Sequence, residues 1–408
     1  MSILRDKTIV LGVSGGIAAY KAAEIVRALV QRGAKVRVMM TRNAQEFITP
    51  LTLQTLAQDP VATDTFSLTQ ESEIGHIRLA DSADAVLIAP ATANVIAKAA
   101  AGIADDIVTT VLLATHAPVA FAPAMNVHMY AHPSVVENLA KLRSRGATII
   151  EPAEGELACG YEGKGRLPDS AIIIAELERI LSPRDLAGER ILVTAGPTQE
   201  AIDPVRFVSN RSSGKMGFAI AAAAWRRGAE VKLVAGPSAL ATPYGVERID
   251  TGSAAEMLAA TSSNFPWASA LVMAAAVADF RPVHPAPGKV KKNPKGMALR
   301  MESIADELPR LAAKKGSRVV IGFAAETADL AANARDKLAR KRLDLIVAND
   351  VTQAGAGFGV DTNIVTLLGA DGSVESLPKL SKDEVADRIL DRLTVLRAAK
   401  ARRLRVVR

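Results

Sequence analysis

The sequence predicts an α/β protein of two doubly wound domains, in which helices cover both faces of parallel sheets. The prediction depends on two glycine-rich turns, which follow short apolar runs at residues 8–17 and 191–217. A buried strand that ends in glycines and begins a helix directs backbone N–H groups towards an anion. Of the 408 residues, 49% are hydrophobic and 4% are aromatic, which is typical of strands buried on both faces. Two such turns therefore predict two phosphate-binding domains and two linked activities.

The first half of the sequence alternates strand and helix patterns. Apolar residues recur at helical spacing between residues 16 and 31, and Gly33 then ends the predicted helix. A further helix is expected at residues 171–181, where it closes this half. The expected strands are residues 7–13, 35–40, 85–89, 118–121 and 147–150.

The second half repeats the pattern. The polar stretch at residues 182–188 contains proline and glycine, and it is the predicted boundary between a first domain, 1–181, and a second domain, 190–408. Residues 282–296 are rich in proline and lysine and predict a mobile loop. The expected elements are a helix at 214–227 and strands at 190–194, 230–235, 270–275, 319–323, 345–348 and 364–368.

The charge and the single cysteine exclude several classes of protein. Because Cys159 is the only cysteine, a disulfide within the chain and a cysteine-based zinc site are excluded. No apolar run is long enough for a bilayer, and the first residues lack a signal-peptide core, so we expect a soluble cytoplasmic protein without a membrane partner. The net charge is +7, and six cations but no acid lie between Arg397 and Arg408. We expect a solvated, partly frayed tail and no nucleic-acid partner, because no aromatic platform accompanies the charge.

The glycine-rich turn of the first half does not match the dinucleotide-binding pattern. Gly12-Val-Ser-Gly-Gly lacks the G-x-G-x-x-G spacing, and the second strand ends in Met40-Thr41-Arg42 where an acidic residue would hold a ribose. These features disfavour NAD. Hydroxyl groups and glycines at strand ends suit the phosphate of flavin mononucleotide (FMN), as in flavodoxin-like sheets. A simple tight turn explains a pair of glycines about as often, so that alternative stays open.

Cys159 and His76 are candidates for chemistry in the first half. A lone cysteine is usually a small buried hydrophobe, but Cys159 lies among four glycines and several charges at residues 155–166. This setting predicts a mobile, exposed loop, in which a thiol can reach a ligand and donate or accept a proton. A lone histidine is more often structural than catalytic.

The first half resembles the flavin-containing cysteine decarboxylases, specifically the phosphopantothenoylcysteine decarboxylases, over roughly residues 7–180. The resemblance implies a flavodoxin-like flavoprotein domain that binds FMN. It implies that FMN oxidises the substrate thiol, that CO2 leaves from the resulting thioaldehyde, and that the reduced flavin returns its electrons. The matching segments are Gly12-Val-Ser-Gly-Gly-Ile17, His76, Pro90-Ala-Thr-Ala-Asn94, Pro123-Ala-Met-Asn126 and Leu157-Ala-Cys-Gly160.

The same resemblance implies roles for individual residues. His76 would be the base that assists thiol oxidation, Cys159 would protonate the enethiolate, and Asn126 would bind the substrate carboxylate. Met129 would also contact substrate. Val95 departs from the family pattern, in which threonine is common, and this affects packing only. The residues implied to bind FMN are Ser14, Gly15, Gly16, Ile17, Thr41, Pro90 and Asn94.

The glycine-rich turn of the second half matches a phosphate loop only in part. It fails as a Walker A motif because Ser209 stands in place of glycine and Met216 in place of serine or threonine. Arg206 lies nearby, and arginine can grip a phosphate or carboxylate with two N–H groups. Asp279 follows an apolar strand, at the edge where ligands of α/β sheets bind, so it holds a metal or a ribose hydroxyl or else caps a helix.

Two groups of lysines extend this candidate site. Lys289, Lys291 and Lys292 lie in the predicted loop, where they either close over phosphates or remain solvated. Lys337 and Lys341 are four residues apart on a predicted helix, so both ammonium groups face one way. A solvated helix face has the same spacing.

The second half resembles the phosphopantothenate–cysteine ligases over residues 190–408. The resemblance implies a Rossmann-like ligase domain that joins cysteine to 4′-phosphopantothenate. The carboxylate would attack the α-phosphorus of CTP and release pyrophosphate, and the cysteine amine would then displace CMP. The matching segments are Val193-Thr-Ala-Gly-Pro-Thr198, Asp203-Pro-Val-Arg206, Ser209-Asn-Arg-Ser-Ser-Gly-Lys-Met-Gly217, Ala274-Ala-Ala-Val-Ala-Asp-Phe280, Lys289-Val-Lys-Lys292, Gly322-Phe-Ala-Ala-Glu-Thr327 and Ala348-Asn-Asp-Val351.

The ligase resemblance implies that Lys289 acts in cytidylate formation, that Asn210 holds and turns over the intermediate, and that Arg206 lies beside the acyl group. Mg2+ is implied as a second cofactor, with Asp279 as its ligand. The fused chain resembles the bacterial bifunctional enzymes of coenzyme A synthesis, which implies a homo-oligomer. The residues implied to line the CTP site are Ala275, Asp279, Phe323, Lys337 and Lys341.

Two other classes of protein compete with this interpretation. A flavin-binding regulatory subunit would keep the fold but lack the histidine or the cysteine, and both His76 and Cys159 are present. A flavodoxin-like electron carrier would need no proton-donor loop and would be short and acidic. The sequence therefore favours the enzyme with two activities.

Overall fold

The chain divides into two compact units, one ending at Ser182 and the other beginning at Pro183. Within the described part of the chain, no helix is long and apolar enough to cross a membrane. The computed structural model describes residues 3–65, 75–156, 160–293, 296–306, 308–326, 330–350, 353, 355, 357 and 359–406.

The first unit contains a five-stranded sheet in which every pairing is parallel. The strand order is β2-β1-β3-β4-β5, which is the flavodoxin-like order with its topological switch between β1 and β3. A separate antiparallel hairpin, β6–β7, follows the sheet. The strands are β1 Thr8–Val13, β2 Lys35–Met40, β3 Ala85–Ala91, β4 Val119–Pro123, β5 Thr148–Ile149, β6 Ala153–Glu156 and β7 Glu162–Arg166.

Side-chain alternation along β1 explains why both faces of this sheet are covered. Ile9 and Leu11 belong to a core cluster with Ile25 of the first helix, whereas Val10 packs in a second cluster with Phe121. The helices are α1 Ala22–Gln31, α2 Pro50–Ala57, α3 Gly75–Ser82, α4 Ala93–Ala101, α5 Ile107–Ala114, α6 Val127–Tyr130, α7 Pro133–Ser144 and α8 Ser170–Leu181, with 3₁₀ turns at Ile17–Lys21 and Arg42–Glu46.

The predicted helix at residues 16–31 is wrong in its first turn, which is a 3₁₀ turn rather than α-helix. Gly16 is extended and no side chain caps the turn, so the first N–H groups are not drawn into an α-helical pattern. Gly33 has φ +84°, as expected for a glycine that ends a helix.

The second unit has an eight-stranded sheet in the order β12-β11-β8-β13-β16-β17-β19-β20. The first six strands in this order pair in parallel, in the Rossmann order. The last two strands, β19 and β20, pair antiparallel and extend one edge of the sheet. The prediction of two doubly wound domains is therefore confirmed. The strands are β8 Arg190–Ala195, β9 Gln199–Ala201, β10 Phe207–Ser209, β11 Glu230–Ala235, β12 Glu247–Asp250, β13 Ala270–Met273, β14 Phe280–Pro282, β15 Met301–Ser303, β16 Val319–Glu326, β17 Leu345–Asp350, β18 Thr362–Asn363, β19 Val365–Gly369, β20 Val374–Ser376 and β21 Leu380–Ser381.

The basic C-terminal segment is a helix, so the expected frayed tail is wrong for Arg397 and Lys400. Arg397 Nε donates to Glu189 Oε2 at 2.9 Å, and Lys400 Nζ lies 2.9 Å from Asp344 Oδ1. Fully buried apolar residues such as Leu393 anchor this helix, and the anchored helix brings its cations to partners far away in the sequence. The helices are α9 Lys215–Arg226, α10 Ala254–Asn264, α11 Leu308–Ala313, α12 Leu330–Arg340 and α13 Lys382–Val406.

Candidate active sites

In the first unit, the loops after β1 and β3 are tied together by Ser14. Its side chain is fully buried. Its Oγ donates to the carbonyl of Pro90 at 2.7 Å and accepts the N–H of Thr92 at 2.9 Å. The turn after β1 therefore lies beside the start of α4, at the switch point where ligands of such sheets bind. Asn94 lies exposed in the first turn of α4.

The glycines after β1 leave room for a close approach of backbone segments. A Cβ on Gly15 would lie 2.4 Å from Asn43 Cβ, so no larger residue fits here without movement. Thr41 Oγ1 accepts the N–H of Ala44 at 3.3 Å and begins the 3₁₀ turn that carries Asn43. Ile17 is exposed at the rim. These residues lie around the carboxyl ends of β1 and β2. Backbone N–H groups at such an edge suit the phosphate of a flavin nucleotide.

His76 lies in the first turn of α3, a helix that contacts β1 and α5. Its Nδ1 is buried, and it has no hydrogen-bond partner within the described part of the chain. An unpaired buried nitrogen costs free energy, and native structures commonly pair such a group with a ligand or water. His76 therefore fits a position beside a bound cofactor or substrate.

Asn126 is the N-cap of α6, and its Oδ1 accepts the N–H of His128 at 2.8 Å. The neighbouring Met125 donates its N–H to the carbonyl of Gly165 in β7 at 3.0 Å. A Cβ on Gly165 would lie 2.3 Å from Met125 O, so the hairpin needs glycine to lie this close to the Asn126 segment. Met129 is half exposed on α6.

Cys159 lies outside the described residues, between β6 and β7. The return strand of this hairpin is fixed by Glu151, which accepts from Lys164 Nζ at 2.7 Å and from Tyr130 Oη at 3.0 Å and also pairs with Arg143. Burial and the Glu151 charge raise the pKa of Tyr130 to about 12. Tyr130 therefore stays a hydrogen-bond donor at neutral pH, and the hairpin stays attached to α6.

The second unit has a cleft of about 1000 Å³ at the carboxyl end of its sheet. Its volume is that of a pocket for a small-molecule ligand. Six of the predicted residues line this cleft: Asn210, Ala275, Asp279, Phe323, Lys337 and Lys341.

Asn210 spans one end of the cleft. Its Nδ2 donates to the carbonyls of Ala276 and Val277, both at 3.1 Å. The next helix, α9, approaches β8 so closely that a Cβ on Gly217 would lie 2.5 Å from Ala195 Cβ. The N-terminus of α9 therefore points its N–H groups at the cleft, an arrangement that suits an anion.

At the other side of the cleft, Lys341 Nζ lies 2.8 Å from Asp306 Oδ2. Lys337 lies one turn earlier and is half-buried. The prediction that both point the same way agrees with their place in the lining. Asp279 is exposed, and its carbonyl accepts the N–H of Ile304 at 2.8 Å.

Four cationic residues of the cleft were not among the residues predicted to line it: Arg211, Lys215, Arg281 and Lys382. Lys215 Nζ lies 2.7 Å from Asp361 Oδ1 and donates to the carbonyl of Gly359 at 2.9 Å. Lys382 also lines the cleft, and burial together with the charge of Lys215 lowers its pKa. The partners of Lys215 lie 144 and 146 positions away in sequence, so the only sequence signal for Lys215 was its place in the glycine-rich segment.

Arg206 and Lys289 are not among the described residues that line the cleft. The Arg206 guanidinium donates to the carbonyl of Val290 at 3.0 Å, and Lys289 is exposed beside it. The loop predicted at residues 282–296, called the lysine loop below, is therefore anchored near its middle at Val290 and is not wholly mobile.

The described residues contain no group of three histidine, cysteine or acidic side chains arranged to hold a metal. Magnesium commonly uses one or two carboxylates and completes its shell with phosphate oxygens and water. A single carboxylate such as Asp279 fits that use only together with a bound polyphosphate.

Two family models match the chain. The model described as "Flavoprotein" matches residues 2–182, and the model described as "DNA/pantothenate metabolism flavoprotein C-terminal domain" matches residues 186–396. The second match covers half of the chain, and the two matches together extend over both units.

Curated relatives match nearly the whole length. The chain is 50% identical over 400 residues to the coenzyme A biosynthesis bifunctional protein CoaBC of Bacillus subtilis, covering 97% of this chain and 98% of that protein. It is 47% identical over 405 residues to CoaBC of Escherichia coli K12, covering 98% and 100%. A crystal structure of the C-terminal domain of a CoaBC protein is 42% identical, with a TM-score of 0.46, and covers 52% of this chain and 97% of that one.

Proposed function

The chain belongs to the family of bifunctional coenzyme A biosynthesis proteins, and from this premise we propose how its two units divide the work. It is an enzyme with a ligase and a decarboxylase activity. The domain 190–408, in the second unit, ligates cysteine to 4′-phosphopantothenate at the expense of CTP, and the domain 1–181, in the first unit, decarboxylates the product to 4′-phosphopantetheine. The observation that supports this division is that each unit has its own parallel sheet, and ligands of such sheets bind at the carboxyl ends of the strands.

The first unit uses FMN. Support comes from the Ser14 bond that connects two loops and from the close approach of Gly15 to Asn43. It also comes from the buried Nδ1 of His76, which has no hydrogen-bond partner among the described residues. Ser14, Gly15, Gly16, Ile17, Thr41, Pro90 and Asn94 surround the flavin nucleotide. When bound, FMN supplies a reversible two-electron oxidation that creates, and later removes, the electron sink for decarboxylation.

The residues around the flavin handle the substrate and its protons. His76 takes the thiol proton, Asn126 and Met129 orient the substrate, and Cys159 supplies the proton that completes the product. The hairpin β6–β7 carries the Cys159 segment to the substrate and excludes water from it. The bond between Met125 and Gly165 brings β7 of this hairpin next to the Asn126 segment.

The second unit activates a carboxylate. Carboxylates are poor acylating agents, so a mixed anhydride with CMP is formed first, and the developing phosphate charge needs cations. Lys289 supplies one of them in cytidylate formation. Asn210 holds the intermediate beside Ala276, and Arg206 lies towards the acyl group. Ala275, Asp279, Phe323, Lys337 and Lys341 hold CTP. Asp279 would hold Mg2+, which would supply positive charge to balance the developing phosphate charge.

The proposal includes a cytoplasmic homo-oligomer whose substrates are small molecules, without a nucleic-acid or membrane partner. Light scattering and cell fractionation test these two points directly.

The activities are tested separately. Heat-released flavin from the purified chain should be FMN in about one copy per chain, and the release of another flavin or none would contradict the first half of the proposal. Pyrophosphate release should require 4′-phosphopantothenate. Among CTP, ATP, GTP and UTP, the rate of release should be highest with CTP. Equal rates with all four nucleotides would contradict the assignment of CTP.

A further inference from the structure

The carboxylate of Asp203 is fully buried beside the lysine loop, with 0% of its side chain exposed. Its Oδ1 accepts the N–H groups of Val205 and Arg206, both at 2.8 Å. Its Oδ2 accepts the N–H of Val290 at 3.2 Å. One carboxylate thus ties the turn at residues 203–206 to a residue 87 positions further along the chain.

Arg206 completes the connection from the opposite side of Val290. Its Nη2 donates to the carbonyl of Val290 at 3.0 Å, and its Nη1 lies 3.5 Å from Asp203 Oδ2. Val290 is therefore held through both its N–H and its C=O. The start of the loop is held as well, because Ala286 donates its N–H to the carbonyl of Ile202 at 2.9 Å.

The bonds that hold Val290 to Asp203 and Arg206 depend on the negative charge of Asp203. Burial acts to raise the pKa of Asp203, but the three backbone N–H groups and Arg206 outweigh it, and the pKa lies below its ordinary value. The carboxylate is thus charged at neutral pH. Hydrogen bonds to a charged acceptor are stronger than those between neutral groups, so the connection is stiff.

Lys289 is the residue directly before Val290, and its exposed side chain extends from a fixed backbone position. We propose that Asp203 is a positioning residue for the ligase reaction: with Arg206 it fixes the backbone at Val290 and so aims Lys289. The inference rests on the role proposed for Lys289 in cytidylate formation. A cation that is aimed before the reaction stabilises developing phosphate charge without reorganisation.

Asp203→Asn tests the inference with little change of volume. An amide has a single acceptor oxygen, so it cannot accept on both sides and its NH2 faces an N–H donor. We expect kcat for CTP-dependent pyrophosphate release to fall about 10- to 100-fold, with KM for CTP changed less than about threefold. The matched control is Glu247→Gln, which removes a carboxylate from the Lys232–Glu247 pair between β11 and β12, and neither residue of this pair is among the described residues that line the cleft. It should change neither constant.

Limited trypsin digestion of the full chain provides a readout that does not depend on catalysis. Lys289, Lys291 and Lys292 offer cleavage sites around Val290. Asp203→Asn should speed cleavage there about tenfold or more at a temperature where circular dichroism shows the chain folded, since cleavage follows local opening. Arg206→Lys weakens the bond to the Val290 carbonyl and the ion pair with Asp203 but leaves the three N–H bonds to Asp203 in place. It should therefore give a smaller increase, which keeps the test available if Asp203→Asn does not fold.

The outcomes separate this inference from the proposed role of Lys289. Faster cleavage together with a lower kcat supports both. Faster cleavage with unchanged kcat would show that the loop is held as described but that aiming Lys289 does not matter, and it would overturn the positioning role. Unchanged cleavage in both variants would overturn the inference itself, whatever Lys289→Gln does to pyrophosphate release.

Discussion

The hydroxyl of Ser14 donates to the carbonyl of Pro90 at 2.7 Å inside the first unit. Because Ser14 is fully buried, Ser14→Ala would leave that carbonyl and the N–H of Thr92 unpaired. We expect a loss of about 1–3 kcal/mol in the stability of this unit and a lower flavin content per chain. Flavin absorbance and urea unfolding measure the two effects. Ser144→Ala removes an exposed serine bond to Lys141 and should change neither.

Gly217→Ala should impair the ligase and spare the decarboxylase. The added Cβ would lie 2.5 Å from Ala195 Cβ and 3.0 Å from Thr194 O, which forces α9 away from β8. Overpacking of this kind costs about 1–3 kcal/mol, and it displaces the helix N-terminus at the cleft. The measurement is pyrophosphate release beside CO2 release from purified phosphopantothenoylcysteine. An equal loss of both activities would contradict the account.

Glu151→Gln should loosen the hairpin β6–β7 in a pH-dependent manner. Burial acts to raise the pKa of Glu151, but hydrogen bonds from Lys164 and Tyr130 outweigh it, so the pKa lies below its ordinary 4.5. A carboxyl group whose pKa is lower in the folded chain stabilises the fold at pH values above its ordinary pKa. This stabilisation is lost as the pH falls through the pKa of the folded chain.

Hydrogen exchange of the β7 amides measures this effect. At pH 7 we expect faster exchange in Glu151→Gln than in the unaltered chain, by at most about fivefold because the pair is partly exposed and screened. The difference should shrink as the pH falls below 4.5. A difference that grows at low pH would contradict the assignment of the charge.

Arg227→Met should destabilise the second unit. The guanidinium is almost fully buried, and it binds Asp185 at 2.9 Å and Asp391 at 2.8 Å. Removing it leaves those carboxylates without their cation. We expect a loss of about 2–3 kcal/mol, below the cost of a wholly buried pair because the acids are partly exposed. Arg388→Met, which breaks the exposed pair with Glu375, is the control in chemical unfolding and should cost little.

The alternation of elements and the glycine turns predicted the two doubly wound folds because both depend on local periodicity. The short strands of β9–β10 and β14–β15 carry three residues each, too few for a periodic signal. The tail was mistaken for a frayed segment because its ion partners, such as Glu189, lie far away in sequence.

The candidate sites divide in the same way. Ser14 and Asn210 could be named from motifs, but their bonds to Pro90 and Ala276 depend on how the sheets assemble. The partner of Arg206 is a backbone carbonyl 84 positions away, which no pattern of residue types encodes. Sequence therefore named many candidate groups, and the fold was needed to find what holds them.

The central claim is that one chain first joins and then decarboxylates the same small thiol compound. Its most direct test is the stoichiometry of pyrophosphate and CO2 when the chain is given CTP, cysteine and 4′-phosphopantothenate. We expect equal amounts of the two products from the unaltered chain and neither product from Lys289→Gln. Because Cys159 acts after CO2 has left, Cys159→Ser should release pyrophosphate and, without air, about one CO2 per bound flavin at most, and it should form no 4′-phosphopantetheine. Release of CO2 without CTP, or undiminished 4′-phosphopantetheine from Cys159→Ser, would contradict the claim.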